Sequence, residues 1–326
     1  MTSVSITTNA NIALIKYWGK RNEELILPTK DSISIGVAAL TTTTSIQLNK
    51  TTQDKIIINN NSNNDIIKPI TLFLDTIRKK FNFNKHFTIN SYNNFPTASG
   101  LASSASGFAA LAFGINHICN LNLNFEKISI LARQGSGSAS RSIFGGFSIW
   151  HSGSALDGSD SYAEQIAKSS SWQSLQMMIV ITTDTIKTVS SRQGMQASIQ
   201  TSDYYAQWIK ESSMRIAPMK QAIITQNFTQ LGQLTEHDWE GFFNVINSTK
   251  PALNYWNSTS ILVINEIKKL RKNGYECYFT TDAGPHIIIF YLSENESIIK
   301  KKLKKIPGIK NILQSNIANE PIVKII

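Results

Sequence analysis

Cysteine is almost missing from this sequence: Cys119 and Cys277 are the only two in 326 residues, far apart and without CxxC or metal-ligand spacing. That excludes a disulfide framework and a thiolate zinc site, and it fits a reducing compartment. Long apolar runs are missing too, since no stretch approaches the roughly 20 residues needed to cross a bilayer. The opening MTSVSITTNANIALIK lacks the basic-then-apolar order of a secretory signal, so the expectation is a cytoplasmic protein with no membrane partner. Charge is sparse at 17%, and acids are the scarcer sign, 22 against 32 lysines and arginines, for a formal net charge of +10. With 41% hydrophobic residues, the chain can bury a core and is too apolar to be disordered. A positive balance suits nucleic acid, a membrane surface or a small, highly anionic substrate. Much of the excess lies in KKKLKK, Lys300 to Lys305, which reads as the solvated face of a helix. No aromatic-rich RNA-binding motif or zinc finger accompanies it, and no nucleic-acid partner is expected.

The length suits two moderate domains. SVSITTN, SISIGVAALTTTTSIQL and DKIIINN are rich in β-branched residues, with period-2 segments that read as strands of one sheet. The asparagine-rich NNNSNNDIIK reads as an exposed hairpin tip or loop. In the next segment Ile70, Phe73, Leu74 and Ile77 carry helical spacing. A glycine- and serine-rich loop then runs into the apolar GFAALAFGINHIC, which is long enough for a buried helix. From QMMIVITTD onward a new alternation of strands and helices begins, so the expected domains are 1–185 and 186–326. No internal repeat or heptad pattern interrupts it.

Five short blocks carry chemistry. In PTASGLASSASG, Pro96 to Gly107, small residues let the backbone approach a ligand, and a following helix would point its free N–H groups at an anion. Ser103, Ser104 and Ser106 add hydroxyls for phosphate or magnesium. The block is neither a Walker loop nor GxGxxG, and a tightly packed helix start would read the same way. GSGSASRSIFGG sets Ser136, Ser138 and Ser140 around Arg141, whose planar fork suits a carboxylate or phosphate. YWGK places Tyr17 and Trp18 beside Lys20, although a lone tryptophan is more often core. TTDAGPH puts Asp282 at a turn forced by Gly284 and Pro285, where it could serve as a base or be an ordinary turn aspartate. In SSRQGMQ, Arg192 is either a further anion ligand or an ordinary helix-end charge.

Taken in order, NIALIKYWGK, PTASGLASSASG, GSGSASRSIFGG, VSSRQGM and TTDAGP resemble the signature blocks of the diphosphomevalonate decarboxylases, over residues 11 to about 286. The resemblance implies an α+β, two-domain GHMP kinase fold. Its N-terminal domain would be like domain 2 of ribosomal protein S5 and its C-terminal domain ferredoxin-like, with the active site in the cleft between them. It also implies ATP-dependent decarboxylation of mevalonate 5-diphosphate to isopentenyl diphosphate, with Mg2+ and no organic redox cofactor, commonly in a homodimer.

By the same resemblance Asp282, Arg141 and Lys20 are catalytic. Tyr17, Trp18, Gly19, Lys20, Ser136, Gly137, Ser138, Ala139, Ser140, Arg141 and Arg192 bind the substrate, with Lys68 or Arg78 as a further cation for the diphosphate. Ser99, Gly100, Leu101, Ala102, Ser103, Ser104 and Ser106 bind ATP, and Ser104 is the candidate Mg2+ ligand. One departure stands out: His286 follows DAGP where relatives usually carry asparagine. The rival readings are a phosphomevalonate decarboxylase, a mevalonate 3-kinase that stops before decarboxylation, and a non-catalytic protein that kept the fold.

Overall fold

A computed structural model describes residues 3–95, 100–185 and 188–326. The first half runs through β1 (Ser3–Ile15), β2 (Lys20–Asn22), β3 (Leu27–Pro28), β4 (Ser32–Asn49), β5 (Lys55–Ile58), α1 (Asn64–Phe81), β6 (His86–Asn93), α2 (Ser103–Ile118), α3 (Phe125–Arg133), β7 (Phe147–Trp150) and β8 (Ala163–Ala167). A 3-10 turn, Gly137–Ile143, separates α3 from β7. The second half comprises β9 (Leu175–Ile181), α4 (Ser191–Thr201), α5 (Tyr205–Met214), α6 (Ile216–Ile224), α7 (Phe228–Ser248), α8 (Ser258–Lys272), β10 (Cys277–Thr280), β11 (Ile287–Leu292), α9 (Glu296–Leu303), β12 (Asn311–Ser315) and β13 (Ile322–Ile325).

The β-branched alternation of β1 and β4 makes them the longest antiparallel pair, the centre of a seven-stranded sheet ordered β13-β1-β4-β6-β5, with β7 and β8 extending from β4. Among the described residues only β5 and β6 pair in parallel. One face of this sheet is covered by α1, α2 and α3. Ile70, Phe73, Leu74 and Ile77, spaced as a helical stripe, are all buried there. α2 is apolar almost all round because it lies between the sheet and its neighbours. At Gly114 an added Cβ would come within 2.6 Å of Ile46 Cγ2, so glycine permits the close approach of helix to strand. The asparagine tract expected to be a loop is partly helix. The Asn63 side chain accepts from the Asp65 N–H, capping α1, so the polar run starts an element instead of only linking two.

The second sheet is four-stranded and antiparallel, ordered β10-β11-β9-β12, with α7, α8 and α9 packed on it. The change of sheet falls before β9, ahead of residue 185, and β13 returns the chain to the first sheet. Periodicity marks strands but not the sheet they join. A single apolar cluster joins Ile12, Leu14, Ile33 and Ile35 of the first domain to Met177, Ile179, Ile288 and Phe290 of the second. The domains therefore share buried surface beneath a cleft instead of hanging on a linker.

Candidate active site

The cleft has a volume of about 920 Å3 and is walled by the exit of β1, the start of α2, the 3-10 turn, the start of α4 and the turn after β10. All five chemical blocks thus bring residues to it, although they lie far apart in the chain.

The α2 wall is built mainly from backbone. Gly100 has φ +96 and Ala102 φ +55, and the helix starts with no side-chain cap, so its first N–H groups and positive dipole end face the cleft. Ser103 and Ser104 line it, and Ser104 Oγ lies 3.2 Å from Ser136 Oγ on the 3-10 turn. A Cβ on Gly100 would stand 2.7 Å from Gly284 Cα, so this loop touches the turn that carries Asp282.

The other wall is built from buried charge. Arg141 is 3% exposed, and its guanidinium donates to Asn11 Oδ1 at 3.2 Å and to the Ser32 hydroxyl. Burial pulls its pKa down to about 10, the Asp282 charge opposing, and the group stays cationic at neutral pH. The Tyr17 hydroxyl is buried without a hydrogen-bond partner among the described residues, between Glu23, Arg141 and Arg192. Burial first, then the Glu23 charge, pushes its pKa upward, so it remains a neutral donor. Across the cleft, Asp282 Oδ1 accepts from the ammonium of Lys16 at 3.0 Å, and that ammonium also donates to the Ala13 carbonyl at 2.8 Å. Asp282 keeps one face toward the cleft, whereas Lys16 is almost wholly enclosed. A carboxylate held by a buried cation, beside an anion-binding helix start and a second buried cation, can direct a hydroxyl toward a phosphoryl group.

Residues 8–163 match the family described as "Diphosphomevalonate decarboxylase-like N-terminal domain", and residues 177–324 match "Mevalonate 5-diphosphate decarboxylase C-terminal domain". The diphosphomevalonate decarboxylase of Debaryomyces hansenii is 38% identical over 93% of this chain and 84% of its own length. The chain belongs to the diphosphomevalonate decarboxylases. Among solved structures, the mevalonate diphosphate decarboxylase of Staphylococcus aureus superposes with a TM-score of 0.92 at 35% identity, covering 100% of this chain and 98% of that one. The protein termed MDDEF, solved in complex with MVAPP, AMPPCP and magnesium, gives a TM-score of 0.92 at 34% identity over 99% of each chain. The fold is the two-domain, α+β GHMP kinase fold.

Not every residue singled out in the sequence reaches the cleft of this decarboxylase. Tyr17, Lys20, Gly100, Ala102, Ser103, Ser104, Ser136, Gly137, Ser138, Arg141, Arg192 and Asp282 line it. Trp18 also borders it, but its indole N–H donates to Ser198 Oγ at 3.0 Å and its ring stands edge-on to Phe242 at 5.0 Å, so most of it is core. Gly19, with φ +118, makes room for the Tyr205 hydroxyl. Leu101 and Ala139 are packed in apolar clusters. The hydroxyl of Ser140 turns to the Gly137 carbonyl at 2.8 Å, and that of Ser106 meets Thr42 Oγ1 at 2.6 Å beneath the helix. Ser99 lies outside the described residues.

Neither proposed accessory cation lines the cleft: Arg78 holds both oxygens of Asp54 at 2.6 and 2.7 Å, and Lys68 is exposed on α1. Lys20 is paired with Glu23. Sequence reasoning named Lys20, which lines the cleft, and did not name Lys16, which lines it too. The available signal was a lysine directly after the continuous apolar run IALI, a place where a charge must find a partner. Asn11 and Ser32 were missed for want of any signal. His286 lies next to the Asp282 turn, 2% exposed, with Nδ1 accepting from the Thr182 N–H at 3.3 Å and Nε2 without a hydrogen-bond partner among the described residues.

Proposed function

We propose that Asp282, Lys16 and Arg141 are the chemical core of an ATP-dependent decarboxylation in this cleft, the α2 wall taking ATP and the 3-10 turn with the α4 start taking mevalonate 5-diphosphate. The single observation that supports it most is the Lys16–Asp282 pair, set between the α2 loop, which touches the Asp282 turn, and buried Arg141.

The enzyme converts mevalonate 5-diphosphate and ATP to isopentenyl diphosphate, carbon dioxide, ADP and phosphate. A 3-hydroxy acid does not release carbon dioxide readily, because hydroxide is a poor leaving group. In the first step Asp282 orients the tertiary hydroxyl and draws on its proton while the oxygen attacks the γ-phosphorus and ADP leaves. Lys16 fixes the carboxylate for that task. In the second step the bond to the carboxylate breaks, its electrons form the new double bond, and phosphate departs with the C3–O pair. Arg141, held by Asn11 and Ser32, keeps the carboxylate oriented, and its charge balances the negative charge developing on the departing phosphate. Tyr17, Ser136, Ser138 and Arg192 bind the diphosphate end. Asn59, Asn61 and Ser91, with Ile58 and Ile70, line a farther part of the cleft suited to the nucleoside.

Among the described residues no group of three acidic, histidine or cysteine side chains forms a metal cage. This suits an Mg2+ held largely by phosphate oxygens and water, with the Ser104 hydroxyl as a candidate ligand, which would neutralise phosphate charge. A homodimer and a cytoplasmic setting belong to the same proposal. No helix among the described residues is long and apolar enough to cross a membrane.

The test is ADP and carbon dioxide release measured side by side with mevalonate, its 5-phosphate and its 5-diphosphate. Equal release of both products, with strong preference for the diphosphate, is expected. ADP without carbon dioxide would establish a 3-kinase, and preference for the monophosphate would overturn the substrate assignment.

A further inference from the structure

Lys16 is gripped from behind as well as from the cleft. Its backbone N–H donates to Asp238 Oδ2 at 2.7 Å, and its carbonyl accepts from the ammonium of Lys30. Asp238 sits within α7, 222 positions away in sequence and 0% exposed. Its second oxygen accepts from the Ser212 hydroxyl of α5, with the Arg215 guanidinium 3.6 Å away. Lys30 is 4% exposed, donates also to the Asp31 carbonyl at 3.1 Å, and lies 4.9 Å from the centre of the Trp208 ring. Neither side chain lines the cleft. Two opposite buried charges thus hold the two backbone hydrogen-bonding groups of a single residue. One Asp238 oxygen meets the Lys16 N–H while the other is held by the Ser212 hydroxyl, so the acceptor that fixes this backbone is itself fixed on both sides.

We infer that Asp238, assisted by Lys30, is a positioning residue: from the C-terminal domain it fixes the backbone of Lys16 so that the Lys16 ammonium meets Asp282. The catalytic carboxylate lies on the turn after β10 and its cation just past the end of β1, so their meeting depends on how the two domains are seated. Asp238 ties β1 to α7, whose apolar side packs with β10 through Trp239 and Phe279. The clasp therefore fixes both halves of the pair to one frame.

The inference rests on the reading of Lys16 and Asp282 as reacting-site partners, and a double-mutant cycle separates the two claims. In Asp238→Ala, kcat per folded molecule should fall about 30-fold, while KM for ATP and for mevalonate 5-diphosphate stays within about threefold. In an Asp282→Asn background the same change should cost less than about twofold, because the pair it serves is already broken. Asp238→Asn keeps an oxygen for the Lys16 N–H and an N–H2 for a reversed Ser212 hydroxyl, and should restore kcat to within about threefold of the native enzyme. Additive losses in the cycle, a parallel rise in KM, or an Asp238→Asn enzyme as slow as Asp238→Ala would overturn the inference. Full activity in Asp282→Asn would instead overturn the site reading beneath it. Should Asp238→Ala fail to fold, adding Ser212→Ala to Asp238→Asn unpins the carboxamide. The double variant should then turn over at least about fivefold more slowly than Asp238→Asn alone, and equal rates would refute the clasp.

Discussion

On the function proposed above, the two walls of the cleft bind anions by different means. The α2 wall uses backbone: an uncapped helix start, glycine and alanine in left-handed conformations, and short hydroxyls, one of which, on Ser104, is open to solvent. The other wall uses side chains that are charged and buried, Arg141 and Lys16, each fixed by partners remote in sequence. Backbone amides tolerate a mobile, exchangeable ligand such as ATP, since they remain neutral and solvated when it leaves. Buried cations pay a desolvation cost at all times, and that cost suits a wall that must hold one carboxylate in one orientation while charge moves across it.

Breaking the charged wall should have the larger effect. Arg141→Met removes the cation and leaves Asn11 Oδ1 and the Ser32 hydroxyl buried without their donor. kcat/KM for mevalonate 5-diphosphate should fall by about 10^2 to 10^3, with KM for ATP little changed. A matching rise in KM for ATP would show that the two walls are not separate.

Gly100→Ala should weaken the backbone wall more gently. The φ of +96 and the 2.7 Å approach to Gly284 make alanine costly there, by about 2 kcal/mol in denaturant unfolding, with KM for ATP raised about tenfold. Because the same contact supports the Asp282 turn, kcat should fall slightly as well.

The smallest effect on activity concerns His286, buried next to the Asp282 turn. Burial, partly offset by Asp184, pulls its pKa down to about 4 from an ordinary 6.5. Between those values the unfolded chain binds the extra proton, so stability drops as pH falls from about 6.5 to 4, by up to about 3 kcal/mol from this group. His286→Asn should flatten that acid slope in thermal melts while leaving activity at neutral pH near native. An unchanged slope would assign the acid sensitivity to other groups.

The same contrast explains what could be read from the sequence. The backbone wall is written in composition, since close approach and left-handed turns demand small residues, and PTASGLASSASG announces them in a single run. Serines were over-read for the same reason: composition cannot tell that Ser104 faces the cleft while Ser106 and Ser140 turn to Thr42 and the Gly137 carbonyl. In the charged wall, Arg141 and Asp282 stood out through their glycine-rich settings. The groups that hold Arg141 and Lys16 did not, because Asn11, Ser32 and Asp238 act across 130, 109 and 222 positions and look locally like ordinary strand and helix residues. Strands were legible by alternation, yet the return of β13 to the first sheet depends on a pairing that no local pattern encodes.

The central claim is that Asp282, paired with Lys16, directs the hydroxyl toward ATP, and single-turnover release of ADP and carbon dioxide by Asp282→Asn tests it most directly. The account predicts ATP and mevalonate 5-diphosphate bound with near-native affinity and both products slowed together by about 10^3 or more. Near-native release of either product would contradict it.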